Sequence, residues 1–247
     1  MNKIELISIG EVAKMLGISI QTLRRWDESG QLIARKTEGG QRRYLKSDIQ
    51  ALADGKIFQL AHKWVSEKDL IQITSDVHCK DRSIFEGRLQ RLNGAIVKGG
   101  VSNDLIPLII TATGEIGNNS FDHNLGKWPD VPGIFFDYNI NEGVIVLADR
   151  GLGILSTLQR VRPELMHHVD ALKVAFTEIV TGRAPEKRGN GLKYVKEIVK
   201  MGIISIKFQT GNAVLTMGAG DLNFEINLID SLVKGTIVII NFKKNKK

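Results

Sequence analysis

Two kinds of apolar spacing alternate along this chain and divide it. Near the N-terminus Ile9, Val12, Ala13 and Leu16 recur at helical spacing behind Ser8, which stands where an N-cap is needed, and Gly17 ends the run. Ser19 opens a second short helix over residues 20–28. After Gly30 an extended basic stretch runs through Arg35 and Lys36 to Gly39-Gly40-Gln41-Arg42-Arg43-Tyr44. The pattern predicts two helices about a glycine turn and then a hairpin wing, with Leu23 and Trp26 packing a small core. A polar helical stretch follows over about residues 51–80, where Phe58, Leu60, Trp64 and Leu70 are expected to pack between two domains. Residues 105–124 return to a helical period, Val144 to Ala148 form an apolar run of strand length, and Leu192 to Met201 are periodic again. Residues 203–208, 213–217, 222–228 and 236–242 then read as four strands with Gly and Asn turns between them.

With 247 residues, 43% of them hydrophobic, the chain can bury one large core and one small one. The division expected is a winged helix-turn-helix over 1–55, a helical connector over 56–80, a larger domain over 81–243 and a basic tail over 244–247. The formal charge of +7 is local: residues 1–50 hold nine basic and six acidic residues, four lysines fall in the last five positions, and the remainder balances. Basicity concentrated at the N-terminal module suits nucleic acid, because phosphate neutralisation supplies most non-specific affinity. A single cysteine, Cys79, excludes an internal disulfide and a cysteine-rich zinc site. Its neighbour His78 adds only a weak suggestion of metal. No apolar run approaches the roughly 18 residues of a membrane span, and no signal peptide is evident, so the expectation is a cytoplasmic protein with no membrane partner.

The chemistry concentrates in three ordered stretches, Glu115-Ile-Gly-Asn-Asn119-Ser-Phe-Asp-His123, Asp149-Arg-Gly151-Leu-Gly153 and Gly189-Asn-Gly191-Leu192. On a helix, Glu115, Asn119 and His123 fall on one face. Asn119 offers the kind of hard oxygen Mg²⁺ accepts when the ion also bridges phosphates, and Glu115, one turn away, could orient or deprotonate a water. Asp149 ends the apolar strand. A buried carboxylate there accepts a hydrogen bond from an exocyclic amine and so tells adenine from guanine. Gly189 to Leu192 make a glycine turn ahead of a helix whose free amides form an anion site. Taken singly, a Gly-x-Gly is more often a tight turn, Glu and Asn four apart are more often a solvated stripe, and Asp before Gly is more often a turn residue. Their conjunction in this order describes a pocket for ATP with Mg²⁺.

At these residues the chain resembles the Bergerat-fold (GHKL) ATPases, the group that includes gyrase B, Hsp90, histidine kinases and MutL. Residues 115–123 look like their N box, 149–153 like the G1 box and 189–192 like the G2 box, and the resemblance spans about residues 80–243. It implies an α+β fold in which an α/β sandwich of a mixed, mostly antiparallel sheet, covered by helices on one face, follows the small N-terminal domain. It also implies that Asn119 holds Mg²⁺, that Asp149 binds the adenine amine, and that Gly151, Gly153, Gly189, Gly191 and Leu192 line the nucleotide beside His123. A lid is implied over about residues 154–188, with Arg183, Lys187 and Arg188 as phosphate contacts. The sequence departs from the histidine kinases: Asp122 stands where they carry a basic residue, their F box is not evident, and no four-helix phosphoacceptor module precedes the domain. The Asn-Ser-Phe-Asp-His-Asn form is closer to anti-sigma-factor serine kinases.

The N-terminal stretch from residue 6 to about 52 resembles a MerR-type helix-turn-helix of the short, excisionase-like form. The resemblance rests on Val12-Ala-Lys-Met-Leu-Gly17, Leu23-Arg-Arg-Trp-Asp27 and Gly39-Gly-Gln-Arg-Arg-Tyr44. Gln21, Thr22, Arg24 and Arg25 are then expected to face base edges, and Arg35, Arg42, Arg43 and Tyr44 the DNA backbone. The long heptad helix that usually pairs two such chains is missing. The function expected is a DNA-binding regulator of double-stranded DNA whose ATP and Mg²⁺ site modulates the DNA-binding module, with slow hydrolysis through Glu115. The alternatives are a serine/threonine kinase of the anti-sigma-factor type acting on a partner protein, and a mobile-element or phage-defence ATPase. A homodimer is compatible with each.

Overall fold

A computed structural model of the chain describes residues 6–16, 19–28, 32–37, 39–46, 49, 55–178 and 191–243. The chain divides into two compact units, Met1–Gln59 and Leu60–Lys247.

The N-terminal unit is built from β1 (Leu6–Ser8), α1 (Ile9–Leu16), α2 (Ile20–Glu28), β2 (Arg35–Lys36) and β3 (Arg42–Leu45). Both helices start where the sequence places a cap. Ser8 and Glu11 form a reciprocal box, the Glu11 N–H donating to Ser8 Oγ at 3.3 Å and the Ser8 N–H to Glu11 Oε2 at 2.7 Å. Ser19 Oγ accepts from the Thr22 N–H at 3.0 Å. The wing is not a lone hairpin. The chain ahead of α1 pairs antiparallel with β3, Ile7 opposite Tyr44, giving a three-stranded sheet in the order β1-β3-β2. Alternation on β3 then turns Tyr44 inward, and Ile7, Val12, Leu23, Tyr44 and Ile49 form the core, with Trp26 packed against it.

Helix α3 (Gly55–Ser66) starts within the residues of the first unit and ends within those of the second. It is shorter than the helical connector expected over 56–80: beyond Ser66 the chain has no helix until after the strand β4 (His78–Cys79). Leu60 and Leu70, expected to pack between domains, are exposed, whereas Trp64 is buried.

The second unit continues with α4 (Arg82–Lys98), α5 (Ile106–Asn124), β5 (Ile134–Asn139), β6 (Val144–Asp149), α6 (Gly153–Leu158), α7 (His168–Thr177), α8 (Gly191–Lys200), β7 (Ile204–Met217) and β8 (Glu225–Phe242). Five strands pair in the order β4-β5-β6-β8-β7, every pair antiparallel, so the expected mixed sheet is antiparallel throughout among the described residues. The four strands anticipated after residue 203 are two long ones. The glycine taken for a break, Gly211, sits at a bulge inside β7 where the register with β8 shifts.

Alternation along the strands sorts the core. Phe136, Ile145, Leu147, Val238 and Ile240 join Phe85 and Leu92 of α4, Ile109, Ala112 and Ile116 of α5, and Val195 and Ile198 of α8 in one apolar cluster. Phe135 points to the opposite face, where Trp64 of α3 packs against it with ring centres 6.5 Å apart. Two residues of α7, Leu172 and Phe176, also enter the main cluster, so this part of the segment expected as a lid is fixed scaffold. Cys79 is fully buried in edge strand β4, and burial pushes its thiol up to about 11. Among the described residues no helix is long and apolar enough to cross a membrane.

Candidate functional site

In the α+β second unit the C-terminal part of α5, the end of β6 and the middle of β8 meet around one carboxylate. Asp149, the last residue of β6, is 1% exposed. Its Oδ1 accepts from the Gly151 N–H at 2.8 Å, and its Oδ2 accepts from Ser120 Oγ at 2.9 Å and from Thr236 Oγ1 at 2.5 Å. Burial pushes its pKa up, while the Thr236, Gly151 and Ser120 donors pull it down; burial prevails. Every donor around the carboxylate is neutral, the Thr236 backbone included.

The loop after Asp149 is fastened from α5. Asn124 Nδ2 donates to the Ser120 carbonyl at 2.8 Å while its Oδ1 accepts from the Leu152 N–H at 2.8 Å, and a Cβ on Gly151 would collide with this amide. At Gly153 the backbone turns left-handed, φ +73°, and opens α6; the next amide, of Ile154, donates to Thr210 Oγ1 at 3.1 Å. Gly235, on β8 directly ahead of Thr236, makes a second close approach. Its φ is +62°, and a side chain there would run into both the backbone oxygen and the carboxylate of Asp149.

Glu115 and Asn119, one turn apart on α5, both face the first residue of α8. A Cβ on Gly191 would lie 2.5 Å from Glu115 Oε2 and 3.4 Å from Asn119 Nδ2. The first and third sequence stretches therefore meet, with a carboxylate and an amide beside a helix N-terminus whose first amides lack helical partners. Leu192 is half-buried against the main core, and His123 lies exposed in the last turn of α5. Asp122, one residue before it, forms an ion pair with Arg82 that ties α5 to the start of α4, which accounts for an acidic residue at that position. Arg183, Lys187, Arg188 and Gly189 lie outside the described residues. Among the described residues no group of three His, Cys, Asp or Glu side chains could hold a metal ion by themselves.

Sequence reading missed Ser120, Asn124, Gly235 and Thr236. Ser120 and Asn124 sit inside a stretch already singled out, on the same helix as Glu115 and Asn119. Gly235 and Thr236 reach Asp149 only because β8 returns beside β6, with Thr236 opposite Asp149. A glycine one residue ahead of the last apolar run was the one visible sign.

In the N-terminal unit Gln21, Arg24 and Arg25 of α2 are exposed, as is Arg35 on the wing, and Arg43 is half-buried. Three residues expected at DNA are employed elsewhere. Arg42 Nε donates to Asp27 Oδ2 at 2.6 Å, joining wing to helix, and Asp27 Oδ1 also accepts from the Ala34 N–H at 2.8 Å. These two contacts, the Ala34 bond first, hold the Asp27 carboxyl below its ordinary value. Tyr44 is a core residue, 1% exposed, placed inward by the strand's alternation. Thr22 gives both its backbone N–H and its hydroxyl to the Ser19 cap. Arginine and tyrosine in a basic hairpin look alike in sequence whether they face in or out.

Residues 8–44 match the MerR family regulatory protein. A stretch of 63 residues, 26% of this chain, is 33% identical to the Type II methyltransferase M.Eco47II of Escherichia coli, and the chain spans 15% of the length of that curated relative. Among solved structures, the chain is similar to the 43K ATPase domain of Thermus thermophilus gyrase B in complex with an aminocoumarin. The TM-score is 0.36 at 16% identity, over 53% of this chain and 33% of that one. It is also similar to the topoisomerase IV ATP-binding domain of Francisella tularensis in complex with a small-molecule inhibitor, with a TM-score of 0.34 at 16% identity, over 59% of this chain and 37% of that one. The N-terminal unit thus carries a helix-turn-helix of MerR type.

Proposed function

We propose that this chain is a DNA-binding regulator whose second unit binds ATP and whose MerR-type unit reads double-stranded DNA. The observation that carries the nucleotide half is Asp149: a fully buried carboxylate held by neutral donors alone and backed by Gly235, at the end of a central strand. In this reading Asp149 accepts from the exocyclic amine of adenine and rejects guanine, whose oxygen at that position offers no donor. Gly191 and Leu192 present the N-terminus of α8 to phosphate, with Gly189 ahead of it. Asn119 fits a Mg²⁺ that takes most of its ligands from phosphate and water, since a single amide oxygen beside a helix N-terminus is a poor cage but an adequate anchor. The ion would neutralise phosphate charge. Glu115 is placed beside the same helix end to orient a water for slow hydrolysis.

Arg24, Arg25 and Gln21 supply the exposed donors on α2 for base edges, and Arg35 and Arg43 supply the wing's charge for phosphate. Regulation requires that nucleotide bind one DNA-affinity state better than the other; a tenfold change in DNA affinity needs about 1.4 kcal/mol of such preference.

The test is calorimetric titration of the whole chain with Mg-ATP beside the Asp149→Asn variant. An amide at this position would turn an N–H₂ donor toward groups that already donate. The expected result is saturable binding in the parent, weakened about 100-fold or more in the variant. Equal affinity in both would remove Asp149 from the site. Replacing Arg24 and Arg25 together by alanine should lower DNA affinity about tenfold or more and leave ATP affinity unchanged.

A further inference from the structure

The two chain segments that meet at Asp149 and Gly235 each carry a cation one residue away, and both cations lead to the same spot. Arg150 follows Asp149; Lys234 precedes Gly235. Arg150 is fully buried, and its Nε and Nη2 donate to Asp130 Oδ2 at 2.9 and 2.7 Å. Lys234 Nζ donates to the same oxygen at 2.9 Å. The remaining donors go to the last turn of α3 and the residues just past it: Arg150 Nη1 to the carbonyls of Trp64 and, at 3.1 Å, Glu67, and Lys234 Nζ to that of Lys68 at 3.2 Å. Asp130 is half-buried. Burial alone would raise its pKa, but the Arg150 and Lys234 donors outweigh it and hold the carboxyl below its ordinary value.

We propose that Arg150, Lys234 and Asp130 form a relay that carries nucleotide occupancy at Asp149 to the C-terminal turn of α3, the helix that starts within the DNA-binding unit. The inference rests on the ATP reading above. One carboxylate serves two cations, so the remaining donors are taken up by the carbonyl of Trp64 in the last turn of α3, a helix end that attracts positive charge, and by those of Glu67 and Lys68 just past it. A buried guanidinium cannot drop a partner without a large cost. A shift in the backbone at Asp149 or Gly235 therefore moves Arg150 and Lys234, and the carbonyls at 64, 67 and 68 must follow or be released. Packed polar knots of this kind have discrete arrangements rather than a continuum. Arg150, Lys234 and Asp130 act as positioning residues; none is assigned a contact with the nucleotide.

The test compares amide hydrogen exchange over residues 60–68 of the whole chain, with and without saturating Mg-ATP, in the parent protein, in Asp130→Asn and in Lys234→Met, each also titrated with Mg-ATP by calorimetry. Asp130→Asn keeps an oxygen for Arg150 but removes the charge that Lys234 needs, and Lys234→Met leaves the buried pair intact should the first variant fail to fold. The expected result is a change in exchange of about fivefold or more on adding Mg-ATP to the parent, below twofold in a folded variant that still binds ATP. A purely structural role would raise exchange equally with and without nucleotide. Binding without any ATP-dependent change at 60–68, or with the same change in parent and variants, overturns the relay and leaves the ATP reading standing. No binding by the parent overturns both.

Discussion

Asp27 in the N-terminal unit and Asp149 in the second do the same mechanical work, each accepting a backbone N–H and side-chain donors to fix a turn, yet they end in opposite electrostatic states. Asp27 is answered by a cation, Arg42, and its pKa falls. Asp149 is answered only by hydroxyls and an amide deep in the protein, and its pKa rises. A carboxylate already matched by a guanidinium has little left to offer a ligand. One held only by neutral donors has no cation beside it to satisfy it. The difference separates a clamp from a site, and residue type alone does not reveal it.

The largest effect that would sharpen this contrast is expected at Gly235. Gly235→Ala forces a Cβ into Asp149 at a left-handed backbone position, so the second unit should lose about 3 kcal/mol or more, with ATP binding lost alongside. Thermal unfolding of the variant checks it, and an unchanged midpoint would mean that Asp149 is held more loosely than its contacts indicate. Asp27→Ala comes next. It removes the Arg42 and Ala34 bonds, should cost about 1–2 kcal/mol confined to the N-terminal unit, and should weaken DNA binding while ATP affinity holds.

The smallest and most discriminating effect is that of pH. Asp27, depressed in the folded state, adds stability above its unfolded value of about 3.9, and that stability disappears as pH falls through the folded value. Asp149, raised in the folded state, behaves in the opposite sense: its contribution is present below the unfolded value and is lost as pH rises through the folded one. Asp149 should therefore protonate at a higher pH than Asp27, so ATP binding weakens on acidification before the wing clamp is lost. Calorimetric affinities and circular dichroism across pH 3 to 7 would show the order; simultaneous loss of both would erase the distinction between clamp and site.

What the sequence made legible was short-range. Ser8 and Ser19 announce their helices because a cap and its helix lie within four residues of one another, and Glu115 and Asn119 share a face because 3.6 residues make a turn. Asp149 was visible as the polar end of an apolar strand. The residues that make it a site were not: Thr236 lies 87 positions away, and only the return of β8 brings it there. The same limit hid the inward placement of Tyr44, which follows from the pairing of β1 with β3, and the contact of Arg42 15 residues back to Asp27. The strands after residue 203 were divided at Gly211 because a glycine that makes a bulge and one that ends a strand look the same in a row of letters.

The solitary thiol of Cys79 offers a way to watch one unit without the other. Folded, it is out of reach of solvent and poorly ionised, so an alkylating reagent has neither access nor thiolate to attack. Once edge strand β4 peels away both barriers vanish. Because the chain contains no second cysteine, the rate of labelling at neutral pH becomes a clock for the opening of the second unit alone, read by mass and blind to whatever the N-terminal unit does.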